Sequence, residues 1–180
     1  VTDAGLVQLA GLNHLKSLGL NDTGVTDIGL AHLVGLNRLK SLGLDNTQIT
    51  DAGLVHLVEL VDLESIVLPD QITDAGLAHL AAMPTLQSLY LGDTQITDAG
   101  LVHLAGASSL KMLFLPDQIT DAGLAHLKEL TNLQTLMPGA TQITDAGLAH
   151  LKGMTKLERL VLNGTQITDA GLVHLAELSK

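Results

Sequence analysis

Two hydrophobic phrases alternate along the whole chain. The first carries leucine-type residues at its first, fourth and sixth positions. It reads LKSLGL at 15–20 and 39–44, then LESIVL from 63, LQSLYL from 86, LKMLFL from 110, LQTLMP from 133 and LERLVL from 157. The fourth and sixth residues alternate with period two, which puts both on one face of an extended segment and the residue between them on the other. Each block therefore predicts a short strand with one buried face. The second phrase opens on Thr-Asp, at Thr2, Thr26, Thr50, Thr73, Thr97, Thr120, Thr144 and Thr168, at intervals of 24, 24, 23, 24, 23, 24 and 24 residues.

The Thr-Asp phrase predicts a helix start. With Thr50 as N-cap, Ile49 and Leu54 occupy the two positions of a hydrophobic staple. Asp51 then falls on the first helical residue, where the exposed amides favour a negative charge. Leu54, Leu57 and Leu60 follow at spacing three, one apolar stripe on a helix of about ten residues. Strand, turn and short helix in one such unit cannot bury a core alone, but stacked units can. The pattern predicts a curved right-handed α/β solenoid. Its parallel sheet of seven strands spans about 30 Å at the usual strand spacing. Helices are wider than strands, so the sheet takes the concave side and the helices the convex side. Residues 1–180 read as one domain, seven strand–helix repeats plus a partial unit, and as an excerpt of a longer chain, because Val1 already lies inside a phrase.

Composition fits thin, regular layers. Hydrophobic residues make up 46% of the chain, yet the only aromatics are Tyr90 and Phe114. Large rings are thus not what fills the core. Without cysteine there is neither a disulfide framework nor a thiolate metal site, and no compartment is selected. The net charge of −10 opposes phosphate backbones and anionic membrane surfaces, and it steers basic partners inward. No apolar run approaches the roughly 20 residues of a membrane-spanning helix.

With these phrases the chain resembles the leucine-rich repeat family over essentially its full length, and most resembles the cysteine-containing subclass. The TDAGL wording with its histidine is similar to repeats of large bacterial proteins, and it would equally suit a consensus-built array. The resemblance implies partners that dock on the concave sheet. It also implies a Cys or Asn after each strand, bonded to neighbouring loop backbone. The matching positions here are Thr23, Thr47, Thr94, Thr141 and Thr165. The two 23-residue units read LPDQI instead, at 68–72 and 115–119, with Asp70 and Asp117 as substitutes. Pro138 stands at a leucine position of the sixth strand block.

The candidate binding residues are those that the sheet turns outward. One column runs Gly19, Gly43, Val67, Tyr90, Phe114, Met137, Val161; the next runs Ser17, Ser41, Ser65, Ser88, Met112, Thr135, Arg159. Val67, Tyr90, Met112, Phe114, Met137 and Val161, with Arg159 beside them, form the candidate patch. Aromatic and methionine content is typical of binding hot spots, although strands tolerate single aromatics for propensity reasons alone. Asp22, Asp45, Asp70, Asp93 and Asp117 leave the strands as an acidic rim, which turn chemistry also explains.

No motif calls for a cofactor or metal. Seven histidines share one helical slot (His32, His56, His79, His103, His126, His150 and His174), one per repeat and so too far apart to share a metal ion. The serine column lies on the sheet and the histidine slot on the helices, which leaves no triad geometry and no expected enzyme. The reading is a protein- or peptide-binding scaffold, with a basic partner favoured and nucleic acid and membrane insertion excluded. The competing reading is an assembly module that stacks through Leu6, Leu9 and Leu12 at one end or Leu172, Leu175 and Leu178 at the other.

Overall fold

The computed structural model describes residues 1–139 and 142–179. Each LxxLxL block holds one strand: β1 (Ser17–Gly19), β2 (Ser41–Gly43), β3 (Ser65–Val67), β4 (Ser88–Tyr90), β5 (Met112–Phe114), β6 (Thr135–Met137) and β7 (Arg159–Leu160). They pair in parallel and in chain order into one seven-stranded sheet. Equivalent positions face each other: Ser17 meets Ser41, Leu42 meets Ile66, and Tyr90 meets Phe114.

The leucine that closes each block extends this ladder. Leu20, Leu44, Leu68, Leu91 and Leu115 donate their N–H groups to the carbonyls of Gly43, Val67, Tyr90, Phe114 and Met137. Pro138 fills the sixth position as a buried side chain but has no N–H to give. The pairing of β6 with β7 accordingly stops at Leu136 opposite Leu160, and Val161 lies just past the end of β7.

The helical side departs from the expected ten-residue helices. The α-helical segments run from Asp3–Leu6, Asp145–Leu148 and Asp169–Leu172, four residues each, to Asp74–Leu80, with seven. In the units that begin at Thr50 and Thr97 the turns are 3₁₀, Gly53–Glu59 and Gly100–Gly106. One slot follows the difference in every unit but one. Val7, Val55, Val102 and Val173 all lie in 3₁₀ turns, whereas Ala31, Ala78 and Ala125 lie in α-helix; Ala149 is the exception, an alanine in a 3₁₀ turn. Branching at Cβ crowds the preceding turn of an α-helix, and a leucine spacing of three matches the 3₁₀ period. Thr50, from which the cap was inferred, therefore caps no α-helix. Thr26, Thr73, Thr120, Thr144 and Thr168 do, each accepting the N–H two residues on at 3.2–3.3 Å.

Between sheet and turns the core is a lattice. Ile49, Leu54 and Leu57 have their equivalents at Ile72, Leu77 and Leu80, at Ile96, Leu101 and Leu104, and at Ile119, Leu124 and Leu127, all at most 1% exposed. Neither aromatic residue belongs to it. At the outer layers Leu6 is buried, Leu9, Leu175 and Leu178 pack partly against the core, and Leu12 and Leu172 are about half exposed.

The polar feature that ties repeats together is the aspartate of the Thr-Asp phrase. Rather than serving only its own helix start, it reaches into the next repeat. Asp3, Asp27, Asp51, Asp74, Asp98, Asp121 and Asp145 each accept two bonds from the following threonine. One comes from the backbone N–H at 2.7–2.9 Å. The other comes from the hydroxyl at 2.5–2.7 Å. The glycine two residues after each aspartate leaves the room this needs. A Cβ at Gly29, Gly53, Gly76, Gly100, Gly123, Gly147 or Gly171 would come within 2.1–2.4 Å of the incoming carboxylate oxygen. Thr-Asp-x-Gly is thus one interlocking device: receive, reach and make room.

The first and last carboxylates of this series are held below the ordinary aspartate value of 3.8. The Thr26 backbone N–H leads the effect at Asp3, and the Thr168 hydroxyl leads it at Asp145. A lowered folded value means that their stabilisation is complete above 3.8. It is lost as pH falls below 3.8 through the lowered values, since the unfolded chain then takes up protons first. Urea midpoints followed from about pH 6 to about pH 2.5 should hold and then fall, and Asp3→Asn with Asp145→Asn should make the fall shallower. An unchanged fall in the double variant would remove both groups from this role.

Candidate interaction surface

Register brings the candidate residues together. Val67, Tyr90, Phe114 and Met137 are consecutive partners across β3 to β6. Met112 precedes Phe114 by two on the same face of β5, and Arg159 faces Thr135 at the far end. Val161 follows β7 and stays with the patch through its N–H, which donates to the Leu136 carbonyl at 3.2 Å. The apolar members are half-buried and Arg159 is exposed; Thr135, in the serine column, is buried. The rings of Tyr90 and Phe114 stack at a centroid distance of 4.3 Å with an angle of 21°. Two neighbouring strands in register, with an aromatic at the same position on each, produce that stack directly.

What sequence reading did not foresee is a depression at the end of these strands. It has a volume of about 210 Å³ and is lined by Asp45, Val67, Leu68, Tyr90, Gly92, Asp93 and Phe114. Two of the predicted rim aspartates thus join the aromatic pair in one concavity. Asp22 does different work: its φ is 58°, and its carboxylate accepts from the Asn46 amide at 2.8 Å. The opposite edge of the sheet carries cations. There a groove of about 450 Å³ is lined by Gln87, Lys111, Gln134 and Lys156, among others. Around β4 to β6 the sheet thus runs from polar and basic, where strands begin, to acidic, where they end, while Glu64 and Glu158 hold the starting position at β3 and β7.

The threonines after the strands form hydrogen bonds, though inside their own repeat. Thr23, Thr47, Thr94 and Thr165 donate to the carbonyl three residues earlier, that of Leu20, Leu44, Leu91 and Leu162, at 2.6–2.8 Å. Thr141 lies outside the described residues. In the 23-residue units a bridge to the preceding repeat is made by Gln71 and Gln118, which sequence reading did not single out. The Gln71 amide donates to the carbonyls of Thr47 and Ile49, and that of Gln118 to those of Thr94 and Ile96. A glutamine is long enough to span the gap left by one missing residue. Asp70 and Asp117, one position earlier, are exposed.

The histidine slot lies on the helical flank, half-buried at His32, His56, His79, His126, His150 and His174 and exposed at His103. Among the described residues, no three of histidine, aspartate and glutamate come together as a metal site would require.

A family model described as Leucine Rich repeat matches residues 82–105 and 153–176. No curated protein sequence matches significantly. Among solved structures, an internalin from Listeria monocytogenes, InlF, is 31% identical with a TM-score of 0.74; the match covers 97% of this chain and 48% of that one. Internalin C2 from the same organism is 30% identical with a TM-score of 0.73, covering 98% and 73%. A plant peptide hormone receptor, RGFR1, solved in complex with RGF2, is 14% identical with a TM-score of 0.55, covering 95% and 32%, a likeness of fold alone. The chain spans about half the length of the InlF chain. With no cysteine present and threonine at the defining position, the cysteine-containing subclass gains no support.

Proposed function

The chain belongs to the leucine-rich repeat family, and from that premise we propose that it is a non-catalytic scaffold binding a protein or peptide on the sheet face around Tyr90 and Phe114. One observation carries the reading: the chain's only two aromatic residues are stacked on an open sheet face and take no part in the core. Val67, Met112, Met137 and Val161 extend the apolar area around them, and Arg159 borders it. Groups that a fold leaves half-exposed and side by side gain most from a partner that completes their burial. The peptide hormone receptor in complex with RGF2 is a precedent for peptide recognition by this architecture, without bearing on which peptide binds here. The net charge of −10 favours a basic partner. Against catalysis stands the separation of the sheet-face serines from the histidines of the helical side.

A displayed peptide library panned on the native chain, on Tyr90→Ala with Phe114→Ala, and on a helical-side control, Val55→Ser with Val102→Ser, tests the surface. Peptides held by the native chain and the control should bind the aromatic variant about thirtyfold more weakly, the scale of a two-residue hot spot. Equal retention by all three, with matching circular dichroism, would move recognition off this face.

A further inference from the structure

We infer that the depression beside Tyr90 is a socket for an arginine side chain of the bound peptide, a refinement that rests on the sheet-face reading above. Its shape follows from the column of side chains across the strands. Phe114 covers one face of the Tyr90 ring. On its other side the same column steps down to Val67 and then to Gly43, over which the Asn21 side chain lies. Tyr90 therefore stands beside smaller neighbours and lines the depression. Gly92 keeps the wall open, since even a Cβ there would meet nothing within 4 Å.

The chemistry follows from the two carboxylates in the lining. Asp45 is half-buried and Asp93 is exposed. Among the described residues neither carboxylate has a hydrogen-bond or ion-pair partner. Asp22 has Asn46, and the seven aspartates of the Thr-Asp phrases have their threonines. No lysine, arginine or histidine lines the depression; Lys111 and Lys156 line the groove at the opposite edge. The concavity thus offers one flat π surface and two unneutralised acceptors in a chain already strongly negative. A guanidinium meets all three, because its plane lies on a ring while its edge N–H groups point at carboxylates. An ammonium supplies charge without the plane. An aliphatic side chain would cover the ring but strip water from the aspartates with nothing in return.

The probe is the blocked tripeptide acetyl-Gly-Arg-Gly-amide, compared with its Lys, Leu and Glu counterparts, titrated into isotope-labelled chain and followed through backbone amide shifts. The Arg peptide should produce saturable shifts at residues 45, 67, 90–93 and 114. The Lys peptide should bind the same amides about fivefold more weakly, the difference that ring stacking makes. Asp45→Asn with Asp93→Asn should weaken the Arg peptide at least as much, and its unperturbed spectrum elsewhere reports an intact fold. Shifts by the Leu peptide equal to or above those of the Arg peptide would overturn the socket while leaving the sheet-face reading in place. Arg shifts spread evenly over the other acidic turns, or undiminished in the double aspartate variant, would also overturn it. If no peptide moves these amides the socket falls, and the library experiment above decides the parent reading separately.

Discussion

Gly100→Ala is expected to lower stability by about 3 kcal/mol, and Gly106→Ala to leave it nearly unchanged. Both glycines belong to one 3₁₀ segment, Gly100–Gly106, so local propensity alone would treat them alike. The difference lies in the neighbouring repeat. A Cβ on Gly100 would sit 2.1 Å from Oδ1 of Asp74 and 2.6 Å from its Cγ, while around Gly106 there is nothing within 4 Å. The carboxylate cannot simply turn away, because Oδ1 holds the Thr97 N–H at 2.8 Å and Oδ2 its hydroxyl at 2.7 Å. Adding one methyl therefore brings both overpacking and the loss of charge-assisted bonds. Urea unfolding of the two variants measures the contrast. A double-mutant cycle assigns its cause: in an Asp74→Ala background, Gly100→Ala should cost far less. Equal losses in both backgrounds would place the cost in the turn itself rather than in the contact between repeats.

Asp98→Ala removes the same device from the acceptor side and is expected to cost about 2–3 kcal/mol. It deletes the acceptors of the Thr120 N–H, at 2.9 Å, and of its hydroxyl, at 2.6 Å, both partly buried. Asp98→Asn keeps an oxygen for the N–H but loses the charge, so its loss should be about 1 kcal/mol. Position in the stack matters as well. In a nearest-neighbour array a break at the centre separates two half-stacks, whereas a break near one end frees a single repeat. Amide exchange in Asp98→Ala should therefore show the repeats on either side opening independently, while Asp145→Ala should loosen only the segment that follows it. Exchange that stays uniformly cooperative across the break in Asp98→Ala would show that the apolar lattice alone couples the repeats.

The period-two leucines made the strands and their order legible, because each residue of LxxLxL has one face to occupy and the repeat supplies its neighbour. The outward column was legible for the same reason, which is why the sequence alone sets Tyr90 beside Phe114. Helix type was not. A leucine spacing of three fits both α and 3₁₀ turns, and the valine-or-alanine slot that separates them in all units but that of Ala149 lies on the outer side, where a pattern of buried residues carries no signal. The role of Asp27 or Asp98 was misread as local because a carboxylate at a first helical position already has a sufficient local reason. The clue was the fixed glycine two residues later, a residue that a helix start does not need. Gln71 and Gln118 escaped notice because loop shortening by one residue changes which side chain can reach, and reach is a property of three dimensions. The depression at Asp45 and Asp93 joins residues of two repeats separated by a full unit, a relation that column-by-column reading does not examine.

The carboxylate link between repeats also has a direction. Each phrase threonine from Thr26 to Thr168 is gripped by an aspartate that lies one repeat earlier in the chain. During synthesis the chain leaves the ribosome in that same order. A newly emerged repeat therefore meets a carboxylate already fixed on folded structure and can lock on before the next repeat exists. Growth of the stack from its N-terminal side needs no waiting for distant partners, so little apolar surface stays exposed while translation continues.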